Sequence, residues 1–236
     1  YALHAFEPAA IHDIVQRYTA VLRELAGPDQ AFAYRAGGWV IQPFDRLRNA
    51  LLAADVRIDS TVYAGGHAEG ATHRFDFRGA PNRSYWTFDT DPLREAPNGP
   101  FLEVPIASHR LSPLFYWRFA WAKKMGGARN KPFGDGQAAA AMGREDMLRK
   151  MIAPSVSVVS MDGYKASFLS RAAAHYRKRS MEDFVVIGHP KALTPYSLAR
   201  LDDFLSHGAA AEVCTYAAYL SQPTLTPSAA ADGITI

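Results

Sequence analysis

Short apolar segments alternate with amphipathic ones along most of this 236-residue chain, and this alternation is what most constrains its fold. Residues 8–25 carry apolar side chains three and four positions apart, which predicts a helix, and residues 44–54 show a similar pattern. Between such segments lie short apolar runs, for example residues 31–34 and 184–187, that are typical of buried strands. Strands that alternate with helices indicate an α/β protein with parallel strands.

The pattern predicts seven strands with helices between most of them. The predicted strands are residues 1–4, 31–34, 56–58, 101–106, 155–159, 184–187 and 212–216. The predicted helices are residues 8–25, 44–54, 114–124, 144–152, 166–179 and 194–207, the last capped by Thr194 and ended by Gly208. Two Gly-rich and polar segments, 63–100 and 126–141, are predicted as long loops, the first with a hairpin that pairs 74–77 with 85–88. We expect one domain over residues 1–222 and a flexible tail at 223–236.

Composition and charge exclude several classes of protein. Hydrophobic residues make up 48% of the chain and charged residues 21%, as in ordinary globular proteins. The net charge of +3 is too small to predict a nucleic-acid partner, and no apolar run approaches the roughly 18 residues of a membrane span. Cys214 is the single cysteine, expected in a buried strand, so no disulfide requires an oxidising compartment and we predict a cytoplasmic location.

The segments after the strands carry the candidate chemistry. The chain lacks a Gly-x-Gly-x-x-Gly motif and a phosphate-binding loop, so neither dinucleotide nor nucleotide binding is supported. The strands could form an open doubly wound sheet or a barrel, and a barrel would bring their carboxyl ends to one face. Polar residues that directly follow strands are His4, Arg35, Asp59, Ser108, His109, Asp162 and His189. Histidines, carboxylates and an arginine around one pocket would suit metal-assisted or general acid–base hydrolysis.

Two of these positions have the most informative surroundings. His189 lies between Gly188 and Pro190 after an apolar strand, and the proline restricts the backbone direction in the way a proton donor requires. Arg35 is followed by Ala-Gly-Gly and Trp39. The guanidinium offers a planar fork to a carboxylate, and the indole offers a face to a sugar ring.

These segments resemble motifs of the NodB-type polysaccharide deacetylases, which are metal-dependent carbohydrate esterases. Arg35-Ala-Gly-Gly-Trp39 is similar to the arginine motif of that family, and Ile187-Gly-His189-Pro to its final histidine motif. The segments at 56–61, 101–106 and 159–163 are similar to further family segments, so the resemblance covers roughly residues 4–219. The family's opening Thr-Phe-Asp-Asp-Gly-like strand has no counterpart in the printed sequence.

The resemblance implies a distorted or incomplete (β/α)7 barrel and a hydrolase that removes acetyl groups from amino sugars of a bacterial surface polysaccharide such as O-antigen. It implies His189 as the general acid, Arg35 and Asp162 as the residues that orient the acid–base pair, and Trp39 and Asp59 in the substrate site. It also implies a divalent metal, zinc before other transition metals, with His4 as a ligand. One histidine is not a full ligand set, because zinc sites normally have three protein ligands and a water.

Two alternatives remain open at this level. A relative that keeps the sugar groove and lacks the metal would bind glycans without catalysis, which the missing Asp-Asp motif favours. A barrel glycoside hydrolase would instead use two carboxylates such as Asp59 and Asp162.

Overall fold

The computed structural model describes residues 3–70, 74–136, 144–207 and 213–220. The helices within these ranges are α1 (Pro8–Ala26), α2 (Asp45–Ala53), α3 (Pro113–Met125), α4 (Arg144–Ile152), α5 (Leu169–Lys178), α6 (Pro195–His207) and α7 (Tyr216–Leu220). The strands are β1 (Ala33–Tyr34), β2 (Ile58–Asp59), β3 (His67–Glu69), β4 (Arg74–Asp76), β5 (Trp86–Phe88), β6 (Phe101–Glu103), β7 (Ser108–Leu111) and β8 (Ser155–Val158). Short 3-10 helices connect several of them, at Leu3–Ala5, Gly37–Trp39, Gly127–Asn130, Gly163–Phe168 and Pro190–Ala192.

The central sheet has the strand order β1-β2-β6-β5. Strands β1, β2 and β6 are parallel, as the alternation of strands and helices predicts, and β5 adds an antiparallel edge. Tyr34 is paired with Asp59, and Asp59 with Glu103, so these three side chains share one face of the sheet. The sheets of the described residues are small, and closure into a (β/α)7 barrel stays a prediction.

A second set of backbone contacts continues the parallel arrangement beyond β6. The amide of Ala107 donates to Val185, and the carbonyl of Ala107 accepts from Val159. Ser160 and Ile187 form a parallel bridge. The segments that lead to Asp162 and to His189 therefore run side by side and end at the same edge.

The main core lies between the sheet and helices α1 and α2. Pro8 opens α1, which buries Ile11 and Val15 on its inner face. The ring of Phe44, next to α2, lies 4.9 Å from those of both Phe88 and Phe101. A smaller cluster on the other face of the sheet contains Ile58, Leu102, Val104 and Tyr219, with Tyr216 packed against it.

The hairpin predicted between residues 74–77 and 85–88 is wrong. Strand β4 pairs instead with β3, and β5 pairs with β6. The partner of β5 is chosen by burial, because Trp86 and Phe88 both face the core.

The two predicted end strands also differ from the structure. Leu3–Ala5 is a 3-10 helix, and residues 1–2 lie outside the described ranges. In the last segment, Tyr216 starts α7, where the Thr215 hydroxyl accepts a hydrogen bond from the Ala218 amide at 3.2 Å, and Cys214 is exposed, not buried. A short apolar run does not distinguish a strand from a helix. Here the hydrogen bond to Thr215 caps a helix at the start of α7.

Other predicted features lie partly or wholly outside the described residues. The predicted tail at 223–236 and Gly208 lie outside the described residues, as do residues 137–141 of the predicted loop at 126–141. Within the described ranges, the helices are all too short or too polar to cross a lipid bilayer.

Candidate active site

Asp162 and His189 form a close side-chain pair. His189 Nδ1 lies 2.8 Å from Asp162 Oδ2, and the backbone amide of His189 donates to Asp162 Oδ1 at 2.7 Å. One carboxylate therefore fixes both the backbone and the ring of the histidine. With Nδ1 directed at the carboxylate, Nε2 is the ring nitrogen left for a substrate.

The sheet register produces this pair. Ser160 and Ile187 are bridged in parallel, and Asp162 and His189 each follow two residues later. The Ser160 hydroxyl also accepts a hydrogen bond from the Asp162 amide at 3.0 Å. Gly188 leaves room beside this bridge for the Met161 side chain, which would have to move if a Cβ atom were added there.

The two members of the pair differ in exposure. The Asp162 side chain is 19% exposed, whereas that of His189 is 56% exposed. Lys165, one turn after Asp162, has its pKa lowered by burial, which the Asp162 charge opposes. The pair thus presents a histidine to solvent on a largely buried carboxylate, which is the arrangement of a general acid or base held by an orienting group.

Arg35 belongs to a hydroxyl-rich network at the ends of β1 and β2. Its Nε donates to the Ser60 carbonyl at 2.7 Å and its guanidinium to the Ser60 hydroxyl at 3.0 Å. The Tyr216 hydroxyl donates to the same Ser60 hydroxyl oxygen at 2.7 Å. The Ala36 amide, next along the chain, donates to Thr61 at 2.9 Å. The backbone that carries Arg35 is therefore tied to the loop after β2.

Asp59 and Glu103 form a buried carboxyl pair beneath this network. Asp59 is 1% exposed and Glu103 is 0% exposed. Asp59 accepts from the Thr61 hydroxyl at 2.7 Å and from the Thr61 amide at 3.2 Å. Glu103 Oε1 accepts from the Val62 amide at 3.1 Å, while its Oε2 is buried with no donor among the described residues.

The buried setting of the two carboxyls favours their protonated forms. Burial raises the pKa of Glu103 well above its usual range, and the neighbouring Asp59 charge raises it further. Burial also raises the pKa of Asp59, but the side-chain hydrogen bond with Glu103, the Thr61 hydrogen bonds and the Arg35 charge oppose that rise. Burial and the Asp59 charge thus both favour the protonated form of Glu103. Because Asp59 is buried and bonded to the equally buried Thr61, it suits a positioning role better than the sugar contact expected from the sequence.

The side chains of the other two predicted site residues, Trp39 and His4, have different surroundings, although the Trp39 amide donates to the Ala36 carbonyl at 3.1 Å. Trp39 is half-buried and packs edge-on against Tyr63, with ring centroids 5.7 Å apart. His4 lines a cavity of about 1120 Å³ whose lining residues include neither Asp162 nor His189. Burial, and secondly the charge of Arg46, lowers the pKa of His4.

Three residues of the two networks were missed by the sequence interpretation: Ser60, Glu103 and Tyr216. Glu103 had a visible signal, an acidic residue inside an otherwise apolar strand, and such a residue is buried only when something stabilises it. Tyr216 was assigned to a strand, and this assignment gave no reason to expect its hydrogen bond to Ser60, directly after β2.

Comparison of the chain with protein-family models, with curated proteins and with solved structures gave no match.

Proposed function

We propose that the protein is a carbohydrate deacetylase-like hydrolase that cleaves the amide of N-acetylated amino sugars, with His189 as the proton donor. The observation that carries the proposal is the Asp162–His189 pair, with its 2.8 Å side-chain contact at the carboxyl ends of two parallel segments. The resemblance of the motifs around Arg35 and His189 to those of polysaccharide deacetylases supplies the substrate class, with a bacterial surface polysaccharide such as O-antigen as the expected substrate.

Hydrolysis of an acetamide adds water across the C–N bond and yields acetate and an amine. The nitrogen leaves readily only when it is protonated, and the imidazolium of His189 can supply this proton from Nε2. Asp162 accepts from Nδ1 and stabilises the imidazolium, while its second oxygen holds the histidine backbone. Arg35 is held by Ser60 and Tyr216 directly after β1, and its proposed role in orienting the acid–base pair rests on the family resemblance.

The family resemblance implies a divalent metal, which would polarise the acetyl carbonyl and the attacking water. The described residues do not provide the ligand set: within them, no three His, Cys, Asp or Glu side chains come together as a metal site requires. His4 has a buried Nδ1 with no partner in the described ranges, but a single imidazole does not hold zinc. No step is therefore assigned to a metal.

Acetate release from N-acetylated chitooligomers tests the proposal. His189→Asn removes the proton donor, and general acid catalysis typically contributes about 10²–10⁴-fold to the rate. We expect kcat to fall by at least about 100-fold, with an unchanged melting temperature because the side chain is more than half exposed. His175→Asn, on α5 and outside the pair, is the matched control. Wild-type kcat in His189→Asn would refute the assignment.

The same assay addresses the two alternatives. A glycan-binding relative would bind the oligomers and release no acetate. A glycoside hydrolase would shorten them, but its carboxylates are not free to act: Asp59 is 1% exposed and Asp162 is held by His189. The burial of Asp59 and the His189 contact of Asp162 are reasons to propose the amide hydrolase before a glycosidase that would use these two carboxylates.

A further inference from the structure

A second cavity, lined by neither Asp162 nor His189, takes no part in the proposed chemistry. It has a volume of about 460 Å³ and opens between α3, the 3-10 helices Gly127–Asn130 and Gly163–Phe168, and α6. We call it the arginine pocket after two of its lining residues, Arg118 and Arg129. Tyr164 lines it as well and lies two residues after Asp162, so one short turn contributes to both places.

Aromatic side chains form the walls of the arginine pocket. Tyr164 and Tyr196 are stacked, with centroids 5.6 Å apart and an interplanar angle of 16°. The Arg129 guanidinium lies 5.3 Å from the centre of the Tyr196 ring, a cation–π contact that restrains it. Trp121 also lines the pocket and is 67% exposed, which leaves a large apolar ring open to solvent.

The charged side chains that line the arginine pocket are all positive. Arg118 and Arg129 are both exposed, and no carboxylate belongs to the lining residues. Two guanidinium groups at one cavity favour an anion, because each can donate paired hydrogen bonds to carboxylate or phosphate oxygens. An exposed indole beside them favours a ring with an apolar face.

We propose that the arginine pocket binds a negatively charged sugar residue, with its carboxylate or phosphate at Arg118 and Arg129 and its ring on Trp121. Only one part of this proposal rests on the proposed function, namely the effect of the pocket on which polysaccharide is hydrolysed. If His189 acts on a polysaccharide, the pocket selects chains that carry an acidic residue near the acetylated one. The binding itself requires no turnover.

Binding of monosaccharides to the full chain tests the pocket directly. Glucuronic acid and glucose 1-phosphate serve as anionic probes and glucose as the neutral one, each titrated by NMR or calorimetry at low salt. We expect at least one anionic probe to bind at least about tenfold more tightly than glucose, the effect of one charge-assisted hydrogen bond or more. The better of the two anions identifies the recognised group. Equal affinity for all three sugars would overturn the proposal.

Variants locate the binding. Arg118→Gln/Arg129→Gln should weaken anion binding by at least about tenfold and remove its dependence on salt. Trp121→Ala should weaken binding of the same probe while leaving the preference for anions. Arg94→Gln is the matched control, since Arg94 is an exposed arginine elsewhere on the surface. Near-UV circular dichroism verifies the fold of each variant, and wild-type affinity in the folded double arginine variant would refute the site.

The pocket and the proposed function can fail separately. Acetate release by the wild-type chain without anion binding would overturn the pocket alone. Anion binding without acetate release from any N-acetylated substrate would overturn the hydrolase alone.

Discussion

Replacing Glu103 by glutamine should change how stability depends on pH. In the folded chain, burial and the Asp59 charge raise the pKa of Glu103, which favours its protonated form. In the unfolded chain the same carboxyl ionises above about pH 4.3. The unfolded state therefore binds fewer protons than the folded state above this pH, so stability falls as the pH rises towards the raised pKa of the folded state.

The magnitude follows from the number of protons. One proton retained only in the folded state lowers the free energy of unfolding by about 1.4 kcal/mol for each pH unit. Glutamine imitates the protonated acid: its oxygen can accept from the Val62 amide as Glu103 Oε1 does, and its NH₂ group can donate to Asp59. Glu103→Gln should keep the packing and lose this pH dependence.

Urea unfolding at several values between about pH 4.5 and about pH 6.5 measures the effect. We expect the stability of Glu103→Gln relative to the wild type to rise by about 1.4 kcal/mol per pH unit over this range. Glu24→Gln is the control, because Glu24 is exposed on α1. Parallel stability profiles of the wild type and Glu103→Gln would show that Glu103 is ionised in the folded protein and would refute the reasoning.

Two further predictions concern the acid–base pair and α6. Asp162→Asn should direct an amide donor at His189 Nδ1, which disfavours the imidazolium, so acetate release should fall about 100-fold or more, and ¹⁵N NMR should show the neutral ring protonated on Nε2. Wild-type release would contradict this role. Thr194→Ala should lower the free energy of unfolding by about 1 kcal/mol, because the Thr194 hydroxyl accepts from the Ser197 amide at 3.0 Å and caps α6. Thr194→Ser should restore most of the loss in chemical denaturation, and an undiminished stability of the alanine variant would argue against the cap.

The helices were the most predictable part of the fold, because their signals are local. The predicted helix at 144–152 coincides with α4, and that at 8–25 ends one residue before α1 does. At α6, Thr194 and Ser197 exchange hydrogen bonds through their side chains, as a cap predicted from the sequence should. Strand pairing was less accessible, because the partner of β5 depends on burial against β6 and not on the turn that follows β4.

In the candidate site, too, local features could be predicted from the sequence, whereas contacts between distant segments could not. The position of His189 after an apolar run and between glycine and proline marks it as a candidate from sequence alone. Its pairing with Asp162 depends on the bridge between Ser160 and Ile187, and no local pattern contains that register. Glu103 was overlooked because its stabilising neighbours come from β2, some forty positions earlier in the chain.

The parallel bridge at Ser160 makes the acid–base pair sensitive to chain length at two particular places. One extra residue inserted after Met161, or after Ile187, would rotate the following side chain to the opposite side of its strand and separate carboxylate from imidazole. Loops elsewhere can lengthen or shorten without this effect, since the pair takes its spacing from the sheet. Insertions and deletions should therefore be tolerated in the other loops, but not between Ser160 and Asp162 or between Ile187 and His189.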